Sequence, residues 1–74
     1  MTNFNNEEKI LEEKFNNAKD NFLKNKIKEA KAEFLNLLKS NQDSFSINYF
    51  LGKVALKEKD YKGASEYAEK IINV

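Results

Sequence analysis

The apolar residues of the first segment recur at helical spacing. Four of them are separated by four, three and four positions: Leu11, Phe15, Ala18 and Phe22. This spacing places them on one face of an α-helix. Asn5 or Asn6 can cap such a helix, because a short amide side chain accepts hydrogen bonds from free N–H groups at a helix start. The pattern predicts a first helix from near Asn5 to about Lys24.

Three further apolar stripes follow, each after a polar interruption. Their members are Ile27, Ala30, Phe34, Leu37 and Leu38, then Ile47, Phe50, Leu51, Val54 and Ala55, then Tyr61, Ala64, Ala68, Ile71 and Ile72. A change of phase at residues 25–26 predicts a tight turn, and the polar stretch 40–44 predicts a loop. Asp43 or Ser44 is the expected N-cap of the third helix, and Asp60 of the fourth.

The whole chain has few residues that interrupt helices. Its 74 residues include no Pro and two Gly, and no stretch alternates in the manner of a strand. We therefore predict an all-α fold: one small domain over residues 1–74 with four helices in antiparallel pairs around a single core. Its expected core comprises ten residues: Leu11, Ala18, Ile27, Ala30, Phe34, Leu37, Leu51, Val54, Ala64 and Ile71.

The two halves of the chain align with each other at a shift of 34 residues. Ala18 then pairs with Gly52, Ile27 with Tyr61, Ala30 with Ala64, Leu37 with Ile71, Leu38 with Ile72, Phe15 with Tyr49 and Phe22 with Leu56. Identical pairs are few: Lys19/Lys53, Lys28/Lys62 and Ala30/Ala64. The match therefore lies in residue class rather than identity. It predicts two repeat units, at residues 11–44 and 45–74.

The second unit resembles a tetratricopeptide repeat. Leu51-Gly52 matches the Leu-Gly pair of that family, Asp60-Tyr61 its turn and following aromatic residue, and Ala64 its small residue. In the first unit, the stripe Ile27, Ala30, Phe34 and Leu37 resembles the second helix of a repeat. The resemblance implies a short right-handed solenoid of stacked helix pairs.

Several positions depart from the pattern of this family. In the second unit Asn48 occupies the Trp position, Ala55 the first Tyr position, and Ala68 a position usually held by a bulky aromatic residue. In the first unit Asn17 and Asn21 occupy the Leu and Tyr positions. The first helix of the first unit is therefore the part that the family pattern describes least well.

The resemblance also implies a concave groove, formed by the first helix of each pair. Its expected residues are Phe15, Asn16, Lys19, Phe22, Tyr49, Lys53, Leu56 and Lys57, with Glu12 and Phe50 on the same face. Aromatic rings and ammonium groups suit a peptide or protein partner that carries acidic groups. We therefore expect a protein-interaction module, or adaptor. The alternative for two of the rings is that Phe15 and Phe22 pack on each other or on the N-terminal segment.

The C-terminal helix leads to a second expectation. Repeat arrays usually need about three units and a polar cap, and this chain has two units and no evident cap. The last helix would expose four residues: Tyr67, Ile71, Ile72 and Val74. The alternative function is thus a structural unit that forms homo-oligomers through this end. The absence of a cap would also be explained if the chain were a piece of a longer array, or if a partner covered this end.

The composition of the chain excludes several other classes of function. The chain has no His, Cys, Trp or Pro, and its 13 basic residues, all Lys, nearly balance 12 acidic ones, giving a net charge of +1. Without His or Cys we expect no metal site, no cofactor and no enzyme activity, since carboxylate pairs such as Glu12-Glu13 fall on solvated helix faces. The charge balance disfavours nucleic acid, and no apolar run matches a signal peptide or a membrane span. The expected compartment is the cytoplasm.

Overall fold

The protein, seen in a computed structural model, is described over residues 2–72, with side chains from residue 7 onward. These residues form four α-helices and no strand: α1 Thr2–Leu23, α2 Ile27–Leu38, α3 Phe45–Lys57 and α4 Tyr61–Ile72. Each helix packs on the next along the chain, and α1 also contacts α3. The prediction of an all-α fold with four helices is confirmed. The predicted start of α1 is wrong, because Asn5 and Asn6 lie inside that helix and not at its cap.

The turn after α1 contains one residue with a left-handed backbone conformation. Asn25 has φ 64°, a conformation that Asn tolerates better than most side chains. The Asn25 N–H donates to the Phe22 carbonyl at 3.0 Å, and the Lys26 N–H donates to the Asn21 carbonyl at 2.8 Å. This pair of bonds is a Schellman motif, which satisfies free carbonyls at the end of a helix.

The turn after α3 repeats the same motif 34 residues later. Lys59 has φ 62°, its N–H donates to the Leu56 carbonyl at 3.1 Å, and the Asp60 N–H donates to the Ala55 carbonyl at 2.8 Å. The residue that follows each left-handed position, Lys26 or Asp60, is at the N-cap position of the next helix. The turns after α1 and α3 therefore have the same geometry, and they lie 34 residues apart, which is the shift at which the two halves of the sequence align.

Side chains cap α3 and α4 where the sequence predicted. Ser44 Oγ accepts a hydrogen bond from the Ile47 N–H at 3.2 Å, and Asp60 Oδ1 accepts one from the Gly63 N–H at 3.0 Å. At the start of α2, Lys26 makes no such bond. Ser44 and Asp60 are thus confirmed as N-caps.

The Asp60 cap supports a stability prediction with a built-in control. Replacing Asp60 with alanine is expected to lower the free energy of unfolding by about 1 kcal/mol, because an N-H group at the start of α4 loses its acceptor. Lys26→Ala, at the equivalent position before α2, removes no cap and should change it by less than about 0.5 kcal/mol. Urea unfolding followed by circular dichroism measures both. Equal losses in the two variants would contradict the cap assignment.

The core lies among α1, α2 and α3. Its buried residues are Ala18, Phe22, Ala30, Phe34, Leu37, Ile47, Leu51, Val54 and Ala55. Six of the ten predicted core residues are among them, which confirms the stripes on α2 and α3. The exception among the described helices is α4, which has no buried residue and covers α3 with a half-exposed face.

Four predicted core residues are more exposed than expected. Leu11 is exposed because α1, with 22 residues, is about 15 Å longer than the 12-residue α2, so that part of its apolar stripe has little to pack against. Ile27, Ala64 and Ile71 are only partly buried. The last two lie on α4, where α3 is the one helix in contact among the described residues.

Candidate protein-binding surface on α1 and α3

Aromatic rings join α1 to α3. The Phe50 ring packs edge to face against Phe15, with centroids 5.7 Å apart, and against Phe22 at 5.8 Å. The same ring stacks on Phe34 of α2 at 5.3 Å. These offset and edge-to-face arrangements are the ones that aromatic quadrupoles favour. Phe50 therefore holds the two helices in a fixed relation.

Two lysines lie over these rings. Lys53 Nζ is 5.2 Å from the Tyr49 ring centroid, 5.7 Å from Phe50 and 5.8 Å from Phe22. Lys19 Nζ is 5.9 Å from the centroid of Phe15. Cation–π attraction at such distances contributes about 0.5–1 kcal/mol at exposed sites. The rings thus hold the ammonium groups in place while Lys53 remains exposed to solvent.

A shallow depression of about 220 Å³ opens between the C-terminal halves of these helices. It is lined by Phe22, Lys53, Leu56 and Lys57, and we call it the lysine depression. All four residues were predicted for the groove, and one of them comes from α1. The structure therefore brings together half of the predicted groove residues around one concave spot.

The other four predicted groove residues do not line this depression. Tyr49 and Asn16 are exposed, whereas Phe15 and Lys19 are half-buried. Phe22 is only 8% exposed and belongs to the core cluster. It therefore forms the floor of the surface, and the accessible apolar area comes chiefly from Tyr49 and Leu56.

One exposed ring of this surface, Phe45, was not predicted from the sequence. Phe45 is 62% exposed and stacks on Tyr49 with centroids 6.1 Å apart. It precedes Tyr49 by one helical turn, so the spacing of four residues was the available signal. Phe45, Tyr49, Lys53 and Leu56 thus form a continuous exposed row on α3.

Asn48, at the position where the resembled family has Trp, anchors the loop before α3. Its side chain is 2% exposed, and Nδ2 donates to the Gln42 carbonyl at 3.0 Å and to the Ser44 carbonyl at 2.9 Å. Its Oδ1 has no hydrogen-bond partner among the described residues. These two hydrogen bonds fix the start of α3 against the preceding loop.

A second depression, of about 270 Å³, lies nearer the start of α1. It is lined by Glu8, Leu11, Glu12, Phe15, Leu37, Asn41, Ser44, Ser46 and Ile47, and we call it the acidic depression. Glu12 and Phe15 were placed on the groove face from the sequence, but the cavity itself was not foreseen. It forms because the long helix α1 extends beside the loop between α2 and α3.

Three of the four residues predicted for self-association lie on α4. Tyr67 and Ile71 are partly buried, and Tyr67 packs against the core, while Ile72 is 75% exposed. Tyr61, at the other end of α4, is also exposed. Val74 lies outside the described residues.

One ion pair joins α2 to the end of α3 within the described residues. Lys31 Nζ donates to Glu58 Oε1 at 3.0 Å, and this hydrogen bond together with the attraction of the carboxylate raises the pKa of Lys31 above its usual range. The pair is partly exposed, so it adds little to stability. Its place is away from both depressions.

Comparison with known proteins returned no matching protein-family model, curated protein or solved structure. Within residues 2–72, no helix has the length and apolar character that crossing a membrane requires. No group of three acidic side chains in the described part of the chain is placed to hold a metal ion. The resemblance to tetratricopeptide repeats therefore rests on the sequence pattern alone.

Proposed function

We propose that this protein is a protein-interaction module that binds a partner segment across α1 and α3. The observation that carries the proposal is the exposed row on α3, where Tyr49 and Leu56 flank a lysine held over three rings. Such a surface offers apolar anchors beside positive charge. A partner with apolar and acidic side chains matches both features.

We further propose that the helices form two tetratricopeptide-like units, stacked as a short right-handed solenoid of antiparallel pairs. The repeated Schellman turns at Asn25 and Lys59 support this arrangement. So do the contacts between α1 and α3, where Phe15 meets Phe50 and Phe22 meets Lys53. In that arrangement the lysine depression lies on the concave side.

Charge reversal at two repeat-equivalent lysines tests the proposal. The probe is a synthetic peptide with a Leu-Phe-Trp centre and Glu residues at both ends, whose Trp fluorescence reports binding because the protein has no Trp. The double variant Lys19→Glu, Lys53→Glu is expected to bind roughly tenfold more weakly, since attraction becomes repulsion at two partly exposed sites. The matched control is Lys28→Glu, Lys62→Glu, which makes the same charge change at equivalent positions on α2 and α4 and should bind like the wild type.

The second candidate function is self-assembly through α4. The observation that favours it is that α4 has no buried residue and leaves Ile72 and Tyr61 exposed. A second experiment separates the two functions: sedimentation equilibrium and peptide binding of the double variant Ile71→Gln, Ile72→Gln. An adaptor keeps its peptide affinity in this variant, whereas an assembly unit loses a concentration-dependent oligomer.

The adaptor proposal has its own contrary result. Peptide affinity that is unchanged by reversal of Lys19 and Lys53 would contradict it.

A further inference from the structure

Packed aromatic rings link the linings of the acidic depression and the lysine depression. Phe15 lines the acidic depression and packs on Phe50 at 5.7 Å. Phe50 packs in turn on Phe22 at 5.8 Å, and Phe22 forms the floor of the lysine depression. Phe50 thus joins a ring of one depression to a ring of the other.

The two depressions carry opposite charges. Glu8 and Glu12 line one depression, and Lys53 and Lys57 line the other. Each pair is separated by four residues, so like charges face each other on one side of a helix, which has an electrostatic cost. Among the described side chains none of the four makes an ion pair that would offset this cost.

From these observations we propose that the two depressions form one surface, which binds a bipolar segment of a partner protein. The segment has basic residues at the end that meets Glu8 and Glu12, apolar or aromatic residues at its centre, and acidic residues at the end that meets Lys53 and Lys57. This inference rests on the proposed function and extends it, because it fixes the chemistry of both ends of the partner and its direction along α1.

The length of the surface sets the length of the segment. From Glu8 to Phe22 the axis of α1 advances about 21 Å, at about 1.5 Å per residue. A partner helix of about 14 residues, or an extended segment of about seven, spans that distance. The acidic depression supplies apolar walls at Leu11, Leu37 and Ile47, so an apolar side chain next to the basic residues of the partner has a place to bind.

Three synthetic peptides test the proposal against the wild-type chain. Each has about 14 residues and the same apolar centre with one Trp, but the ends differ: Lys-Lys and Glu-Glu in the bipolar peptide, Glu-Glu twice in the acidic one, Lys-Lys twice in the basic one. We expect the bipolar peptide to bind roughly tenfold more tightly than either of the others, because only it has a complementary charge at both ends.

Charge-swapped variants of the protein are expected to change which of the three peptides binds most tightly. Glu8→Lys, Glu12→Lys is expected to bind the acidic peptide best, and Lys53→Glu, Lys57→Glu the basic peptide best. Two matched controls reverse exposed charges on other faces: Glu66→Lys, Glu69→Lys and Lys28→Glu, Lys62→Glu. Both should keep the wild-type order. All of these changes are at exposed positions, and circular dichroism checks that each variant is folded.

Three results would contradict the proposal, and each can be told from the others. If the wild type binds the acidic and bipolar peptides equally, and the Glu8, Glu12 variant changes nothing, the bipolar assignment fails while the proposed function stands. If no peptide binds the wild type or either swapped variant, both fail. If the wild type is a dimer that each swap dissociates and a mixture of the two swapped variants restores, the occupant is a second copy of this chain, which overturns the assignment of a separate partner.

Discussion

Replacing Phe34 with alanine is expected to destabilise the protein by about 3–5 kcal/mol, the usual cost of truncating a fully buried aromatic ring. Phe34 is 0% exposed, stacks on Phe50 at 5.3 Å and meets Phe15 edge to face at 5.7 Å. A chain of this length typically has only about 4–11 kcal/mol of stability in total. Most or all of the helical signal is therefore expected to be lost well below the urea concentration that unfolds the wild type.

The matched control for this prediction removes the same atoms from a different place. Phe45→Ala truncates a ring that is 62% exposed, so less apolar surface returns to water and no internal cavity forms. Its cost should stay below about 1 kcal/mol. Urea unfolding by circular dichroism compares the two variants. A Phe34→Ala midpoint close to that of Phe45→Ala would show that the ring cluster is not the centre of the core.

The Phe34 ring also couples stability to the proposed binding surface. Phe50 contacts Phe34 on one side and lies under Lys53 on the other, with Lys53 Nζ 5.7 Å from its centroid. The side chains that position the lysine are thus the same ones that close the core. For this reason surface variants such as Lys53→Glu test binding more cleanly than changes to the rings themselves.

Apolar periodicity predicted the parts of the fold that depend on a single helix. The stripe on α2 placed Ala30, Phe34 and Leu37 in the core, and all three are buried. Short polar side chains before apolar runs likewise predicted the caps at Ser44 and Asp60. These features follow from local backbone geometry and from helical spacing, which a sequence contains directly.

Features that depend on how far a neighbouring helix extends were not predictable in the same way. Leu11 has the spacing of a core residue, yet it is exposed because α1 is much longer than α2. The acidic depression at Glu8 and Glu12 arises from the same difference in length. Periodicity gives the face on which a residue lies but not whether another helix covers that face.

Two other features were hidden by residue type. The left-handed turn at Lys59 carries no Gly or Asn to signal it, and its equivalence to Asn25 emerges only from the backbone. Asn48 was assigned to a position that usually holds a large ring, so its two hydrogen bonds to the preceding loop were not anticipated. At Lys59 the backbone adopts a conformation that non-glycine residues seldom have, and at Asn48 two buried hydrogen bonds take the place of apolar packing.

Enlarging the two repeat-equivalent alanines is expected to have unequal effects. Ala30→Leu should lower the free energy of unfolding by about 1–3 kcal/mol, because Ala30 is 0% exposed and three extra carbons must displace packed neighbours. Ala64→Leu should cost less than about 1 kcal/mol, since Ala64 is partly exposed on a helix that packs on one side. Chemical unfolding at low protein concentration, followed by circular dichroism, measures both differences.

Protein concentration decides how the Ala64 result is read. If α4 is covered by a second copy of the chain, Ala64→Leu should become more costly as the concentration of protein rises, because self-association stabilises the folded state by mass action. The cost of Ala30→Leu comes from packing within one chain and should contribute equally at every concentration. Equal costs for the two alanines in dilute solution would contradict the placement of α4 as a half-exposed helix. A cost at Ala64 that grows with concentration would favour self-assembly over the adaptor function.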